Sequence, residues 1–156
     1  MAYRRSGSMS SLLGKGNKRA LKSLVDRGRI PGLIGYEDER PVAWISLGPR
    51  EEYAKLQRSP IMKPVDDKLV WSIVCFFVDA RSRGKGLAER MLKAAIEYAG
   101  SRGVTLLEAY PVDKKERSHA DAMWFGAKCM YDRAGFQEVA RRKITRPVMR
   151  KSLKHS

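Results

Sequence analysis

Cysteine and histidine are scarce in this sequence, which has two of each among 156 residues. The cysteines, Cys75 and Cys129, are far apart along the chain and lie in apolar surroundings. We therefore expect two buried, reduced thiols, as in a cytoplasmic protein, rather than a disulfide. Two histidines and two distant cysteines do not make a convincing metal site, so no metal is expected.

Long hydrophobic runs are also missing. The longest, residues 69–78, is apolar except at Ser72 and is too short to span a membrane. The N-terminus, Met1-Ala2-Tyr3-Arg4-Arg5, has no apolar stretch behind it and shows no secretory signal. These absences predict a cytoplasmic protein without a membrane partner.

Acidic residues are few, since 17 Asp and Glu oppose 32 Lys and Arg and the formal net charge is +15. Such an excess suggests nucleic acid, an anionic surface or an acidic small molecule as a partner. The excess is terminal: residues 1–30 and 133–156 each hold eight basic residues and one acidic residue, whereas residues 31–132 hold sixteen and fifteen. This distribution indicates basic flanks on an ordinary globular body.

The length and an apolar content of 43% suit one compact domain over residues 1–156, with a basic N-terminal segment at 1–16 and a basic tail at 150–156. Asn17 is placed to cap a first helix that Gly28 ends, and a surface excursion follows at 50–68. The last seven residues are expected to fray. Apolar periodicity predicts strands at 32–36, 41–47, 69–78, 104–112, 136–142 and 145–149, and helices over 87–99 and 122–133.

The middle of the chain reads as a strand–helix–strand unit. Strand 69–78 is apolar on both faces, as a central strand is, and a glycine turn and an amphipathic helix connect it to strand 104–112. The crossover makes these two strands parallel, whereas the hairpin at 32–47 is antiparallel. The sequence therefore predicts an α/β fold with a mixed sheet.

The glycine turn, Arg81-Ser82-Arg83-Gly84-Lys85-Gly86, precedes a helix N-terminus, where free backbone N–H groups and the helix dipole favour an anion. Its arginines and lysine add positive charge. The dinucleotide fingerprint fails because Glu89 stands where its third glycine belongs, and the ATP-binding P-loop fails at Asp79 and Gly86. A turn that merely joins strand to helix remains the alternative.

Two motifs make the chain resemble the GNAT superfamily of acyl-CoA-dependent N-acetyltransferases. The first is R/Q-x-x-G-x-G/A after the family's fourth strand, matched by residues 81–86; the second is Ala127, Tyr131, Gly135 and Phe136 at the family's spacings. The resemblance covers roughly residues 17–150. It implies a single domain with a central mixed sheet flanked by helices, whose fourth and fifth strands splay apart.

The resemblance also implies acetyl-CoA as co-substrate, with no metal, and an acetyl group moved to a primary amine by direct attack in a ternary complex. The pyrophosphate would lie on the backbone N–H groups of residues 83–88, and the pantetheine arm would pair with residues 76–78. The implied cofactor-binding residues are Phe76, Phe77, Val78, Arg81, Arg83, Gly84, Lys85, Gly86, Leu87 and Ala88.

Tyr131 matches the family's general acid, which protonates the departing thiolate; the alternative is an aromatic side chain that only packs. Glu108 is the candidate general base, because its alternation with Tyr110 places it on one face of a buried strand. A carboxylate held by arginine or lysine for structure is the alternative there. His119 and Asp121 are fallback bases.

The chain also departs from the family. Trp124 replaces an asparagine that the family often uses to hold the CoA arm. Only about thirty residues precede the first predicted strand, so the chain is either naturally short or missing its native start. One wall of the acceptor pocket is then open or supplied by a partner, and a homodimer is one candidate.

The sequence is also compatible with two other functions. The basic ends would also suit a non-catalytic nucleic-acid or ribosome-associated module on the same fold, although no sequence motif supports it. A longer acyl donor is a third alternative. The positive field disfavours a polyamine acceptor and favours an anionic or neutral one.

Overall fold

The computed structural model describes residues 3–4, 15–115 and 125–154 of the chain. One six-stranded sheet organises them, in the order β1-β2-β3-β4-β6-β5. All neighbouring strands are antiparallel except β3 and β4, which are parallel. The elements are α1 Lys15–Asp26, β1 Gly32–Glu37, β2 Arg40–Pro49, α2 Ala54–Arg58, β3 Trp71–Val78, α3 Leu87–Ser101, β4 Leu106–Ala109, α4 Lys128–Arg133, β5 Gln137–Lys143 and β6 Arg146–Ser152, with short 3-10 turns at Arg50–Glu52 and Ala80–Ser82.

The predicted α/β fold with its mixed sheet is confirmed, and so is the parallel strand–helix–strand unit. Gly28 ends α1 as expected, in a left-handed conformation with φ +76°. The cap is wrong: α1 begins at Lys15, so Asn17 lies inside its first turn.

Two other boundaries differ from the sequence prediction. Helix α4 starts only at Lys128, because Gly126 is left-handed and Ala127 is extended and bridges Val112; residues 122–124 lie outside the described part. The tail is not frayed from residue 150, since β6 continues to Ser152 and pairs there with β4. Cys129 is exposed rather than buried, whereas Cys75 is partly buried; both are free thiols.

The sheet carries a separate apolar cluster on each face. Adjacent residues of a strand point to opposite faces, and accordingly Ile73 belongs to the cluster with α3 whereas Val74 belongs to the other. Helix α3 covers the first face with Met91, Leu92, Ala95 and Ala99. We call the cluster on the second face the opposite cluster; its buried members are Tyr53, Leu56, Val74, Tyr110, Phe125 and Val148.

The expected splay of the two central strands is present between β3 and β4. Their pairing begins at Trp71 opposite Leu107 and ends at Ile73 opposite Ala109, whereas β3 continues to Val78. A β-bulge coincides with the end of the pairing, because Val74 is an extra residue relative to β2. Such a bulge bends its strand, and the C-terminal half of β3 consequently has one unpaired edge.

Candidate active site

A cleft of about 520 Å³ opens at the splayed end of β3. Residues 75–78 of β3 form one wall, and the glycine turn with the first turn of α3 forms another. The third wall is the start of α4 with the residues just before it. The cleft is lined by Cys75, Phe76, Phe77, Val78, Ser82, Arg83, Gly84, Gly86, Leu87, Ala88, Glu89, Gly126, Ala127, Cys129, Met130 and Arg133.

Both glycines of the turn have left-handed backbones, with φ +78° at Gly84 and +72° at Gly86. A side chain is strained in this conformation. A Cβ added to either glycine would meet no atom within 4 Å, so open space lies over the turn. Gly86 directly precedes α3, whose first N–H groups have no intrahelical acceptor. The turn therefore presents unpaired donors to the cleft, as an anion site does.

The three predicted cations of the turn occupy different environments. The Arg83 side chain lines the cleft, and its Nε donates to the carbonyl oxygen of Val78 at 3.1 Å. The Lys85 Nζ donates to Glu37 at 3.0 Å, and that hydrogen bond is the largest cause of the lowered pKa of Glu37. Arg81 and Lys85 do not line the cleft. The structure thus brings Arg83 to the site and leaves the other two beside it.

Sequence reasoning missed several residues of the cleft. Arg133 lines its mouth and pairs with Glu89 of the first turn of α3. Ser82 is fully buried, and its Oγ donates to Glu37 at 2.9 Å. No motif singles out these residues, because their positions depend on how α3 and α4 meet in space. Gly126 was the one with a signal, since a glycine inside a predicted helix weakens the helix prediction at that point.

Tyr131, the predicted acid, is fully buried on α4, one layer behind the cleft wall. Its hydroxyl donates to the Phe125 carbonyl oxygen at 3.0 Å, and its ring packs edge-on against Phe76. Burial raises the pKa of Tyr131, so the hydroxyl keeps its proton at neutral pH. A Cβ on Gly126 would lie 3.2 Å from this ring, which places the tyrosine directly behind a lining residue.

Glu108, the predicted base, lies on the paired part of the sheet and not on the cleft wall. Its side chain is 0% exposed. Oε1 accepts from Arg50 and from the Tyr110 hydroxyl, each at 2.7 Å, and Oε2 accepts from Arg150 at 2.7 Å. Both carboxylate oxygens are therefore engaged, as expected for the structural alternative. The fallback bases His119 and Asp121, and Trp124, lie outside the described residues.

Part of the terminal positive charge is used inside the molecule. Arg4 pairs with Glu52 and its side chain is 7% exposed, while Arg150 pairs with Glu108 and Asp66 and its side chain is 9% exposed. Helix α1, by contrast, buries none of its residues and carries its lysines on the surface. Among the described residues, the terminal positive charge is thus divided between buried ion pairs and exposed side chains.

The part of the chain that the structure describes offers neither a metal site nor a membrane-spanning helix. No group of three or more His, Cys, Asp or Glu side chains is arranged to hold a metal ion there. Within the same residues, no helix has the length and apolar character that crossing a membrane requires.

Solved structures share this fold. A ribosomal-protein-alanine N-acetyltransferase from Brucella melitensis has a TM-score of 0.60 and 19% identity, covering 92% of this chain and 82% of its own. YncA of Salmonella typhimurium, solved with its cofactor acetyl-CoA, has a TM-score of 0.59 and 17% identity, covering 92% and 76%. The PaiA N-acetyltransferase of Thermoplasma acidophilum, in complex with coenzyme A, has a TM-score of 0.54 and 13% identity, covering 89% and 72%.

Comparison of the sequence with known proteins and families identifies the family to which the chain belongs. A search of curated proteins found no match. The sequence does match the Acetyltransferase (GNAT) family over residues 3–126, which is most of its length. The chain therefore belongs to the Acetyltransferase (GNAT) family.

Proposed function

We propose that this protein is an acetyl-CoA-dependent N-acetyltransferase that moves the acetyl group to a primary amine by direct attack in a ternary complex. One observation carries the proposal: the cleft joins the unpaired edge of β3 to the open glycine turn at the start of α3. A strand edge and an anion site side by side suit a ligand that has an amide-containing arm and a pyrophosphate.

The turn at Gly84 and Gly86 fits the pyrophosphate. The left-handed glycines leave room for phosphate oxygens to approach the backbone, and the donors at the N-terminus of α3 face negative charge without any metal. Arg83 adds a guanidinium within the same wall. Residues 83–88 would therefore hold the anionic end of the co-substrate.

The open edge of β3 fits the pantetheine arm. Backbone groups on an unpaired strand edge are a template for an added strand, and residues 76–78 lie where β4 has left β3. The backbone groups of Phe76 and Val78 face this edge, because the Asp79 N–H bonds to β2 and alternate residues face alternate edges. The Val78 carbonyl already accepts from Arg83, so the Phe76 N–H and C=O and the Val78 N–H would carry the pairing. The acetyl thioester would then point toward the bulge at Val74.

Acetyl-CoA supplies an activated acyl group, and the protein must manage two protons. Presenting a lysine-type amine in its neutral form at pH 7 costs about 4–5 kcal/mol, which a base or a water chain offsets. Tyr131 is proposed to give a proton to the departing thiolate. Its hydroxyl, which donates to the Phe125 carbonyl oxygen behind the cleft wall, would turn toward the thiolate in that step. Glu108 stays a prediction as base, and its contacts with two arginines favour the structural role.

Calorimetry with acetyl-CoA at about 150 mM salt tests the proposal, since salt screens purely surface attraction. Gly84→Val and Gly86→Val should each weaken binding about tenfold or more, because a side chain strains the turn and fills the space over it. Gly103→Val is the matched control: Gly103 is also left-handed, with φ +79° and open space around it, but it follows the far end of α3. Its affinity should equal that of the wild type.

Two results would contradict this assignment. If the wild-type protein does not bind acetyl-CoA, the acetyltransferase proposal is wrong. The non-catalytic nucleic-acid or ribosome-associated module would then be favoured. Equal losses from all three glycine variants would show that strain, and not the site, lowers affinity.

A further inference from the structure

Four arginines surround the opposite cluster, and three of them have a carboxylate partner. Arg4 pairs with Glu52, Arg50 pairs with Glu108 at 2.7 Å, and Arg150 pairs with Glu108 and Asp66, each at 2.7 Å. The fourth, Arg146 at the start of β6, has no carboxylate partner among residues 3–4, 15–115 and 125–154. Among these four arginines, Arg146 is therefore the one whose charge no described carboxylate compensates.

The contacts of Arg146 are polar or aromatic but not anionic. Its guanidinium carbon lies 4.5 Å from the centre of the Phe125 ring, and Nη2 donates to the Tyr110 carbonyl oxygen at 3.3 Å. Nη2 also lies 3.9 Å from the Met62 sulfur. The buried Nε has no hydrogen-bond partner in the described structure. Burial lowers the pKa of Arg146, which reflects the cost of holding this charge away from water.

Arg146 lies close to the proposed reaction centre. Phe125, which its guanidinium covers, accepts the hydrogen bond of the Tyr131 hydroxyl through its carbonyl oxygen. Tyr110, which receives its Nη2, directly follows β4 at the splay. The wall next to α3 is assigned to the co-substrate, so the acceptor must reach the thioester from another side. Arg146 is partly exposed beside the opposite cluster, on the face of the sheet away from α3.

We propose that Arg146 binds a carboxylate of the acceptor, so that the acceptor is a small molecule bearing both an amine and a carboxylate. The inference rests on the proposed acetyltransferase function and specifies its substrate class. An arginine donates charge-assisted hydrogen bonds to a carboxylate through its planar fork. The bound anion would supply the compensation that described carboxylates provide for Arg4, Arg50 and Arg150 but not for Arg146.

The test uses matched acceptors in which a carboxamide replaces the carboxylate. Because this change also lowers the pKa of a neighbouring α-amine, kcat/KM is compared per neutral amine. α- and ω-amino acids are each compared with the corresponding carboxamide, and thiol release from acetyl-CoA gives kcat/KM for both. The wild-type protein should prefer the carboxylate member of at least one pair by about 10–100-fold, as expected for one buried charge-assisted interaction. Arg146→Gln should reduce that preference to near one, and Arg146→Lys should restore part of it.

Lys143→Gln is the matched control, because it removes the same charge from an exposed residue paired with Arg146 across the β5–β6 hairpin. It should keep the carboxylate preference, which separates a specific contact from the general positive field. Thermal melting and acetyl-CoA affinity of Arg146→Gln, compared with the wild type, show whether the variant is folded.

A second readout does not depend on turnover. The Arg146 Nε–Hε resonance, identified by its loss in Arg146→Lys, should shift when the CoA-bound protein is titrated with the preferred amino acid and not with its carboxamide. Equal kcat/KM for all pairs, or a resonance that none of the amino acids moves, would overturn the proposal and leave Arg146 as a packing residue over Phe125. Failure of acetyl-CoA to bind would instead overturn the proposed function.

Discussion

The two halves of β3 differ in their pairing. We call residues 71–73 the closed half and residues 75–78 the open half. In its first half, from Trp71 to Ile73, the strand pairs on both sides, and Ser72 and the neighbouring Glu108 are fully buried. In its second half the β4 side is open, and Phe77 is 56% exposed on the wall of the cleft. One bulge residue, Val74, separates them. A single strand thus contributes to the closed core at one end and presents an unpaired edge to the cleft at the other.

The closed half also explains why a buried acid is weak support for catalysis. Glu108 lies between Arg50 and Arg150, and it receives the Tyr110 hydroxyl as well. Arg50 in turn donates to the Met62 carbonyl, and Arg150 binds Asp66. The network therefore ties the second part of the surface excursion, residues 59–68, to the sheet. A carboxylate whose two oxygens are both engaged in this way holds a loop in place.

The largest effect should come from breaking the closed half. Glu108→Gln leaves two buried guanidinium groups facing a neutral amide, so the free energy of unfolding in urea should fall by about 3–5 kcal/mol. Glu138→Gln is the control, because Glu138 pairs with Arg141 on the surface at 2.7 Å and should cost no more than about 1 kcal/mol. If Glu108→Gln unfolds like the wild type and loses only turnover, Glu108 is the base after all.

A smaller and different effect is expected from the open half. Tyr131→Phe should lower kcat about 100-fold, because the thiolate then departs without its proton donor, while acetyl-CoA affinity is retained. Its stability should fall by only about 1 kcal/mol through the lost bond to Phe125. Tyr98→Phe, which removes a hydroxyl from α3 outside the cleft, should leave kcat unchanged. Full turnover by Tyr131→Phe would reduce the tyrosine to a packing residue.

The smallest effect concerns the ion pair between Arg150 and Asp66, at the edge of the network around Glu108. The hydrogen bond from Arg150 lowers the pKa of Asp66 from 3.8 to about 2. Because the folded-state pKa is the lower one, this contribution to stability is complete above pH about 4 and is lost as the pH falls toward 2. Urea midpoints measured across that range should drop less in Asp66→Asn than in the wild type. Parallel curves for the two proteins would contradict the role assigned to this pair.

The sequence predicted most of the fold because its signals are local. The hairpin, the central strand, the glycine turn and α3 each depend on a short pattern of apolar residues and glycines, and each was found within a few residues of its expected place. The prediction failed where contacts with residues far away in the chain determine where an element begins or ends. Helix α4 is short because the backbone around Gly126 bonds to Val112, and residues 150–152 are ordered because β4 pairs with them.

The sequence by itself determined the order of elements and the position of the glycine turn, since Gly84 and Gly86 permit a backbone that other residues resist. Only the tertiary structure decided which charged side chains face the cleft, which are locked against a carboxylate, and which, as at Arg146, lack one among the described residues. The physical reason is that ion pairing and burial depend on distances between residues far apart in the chain. Arg50 and Glu108, for example, are 58 positions apart and meet at 2.7 Å.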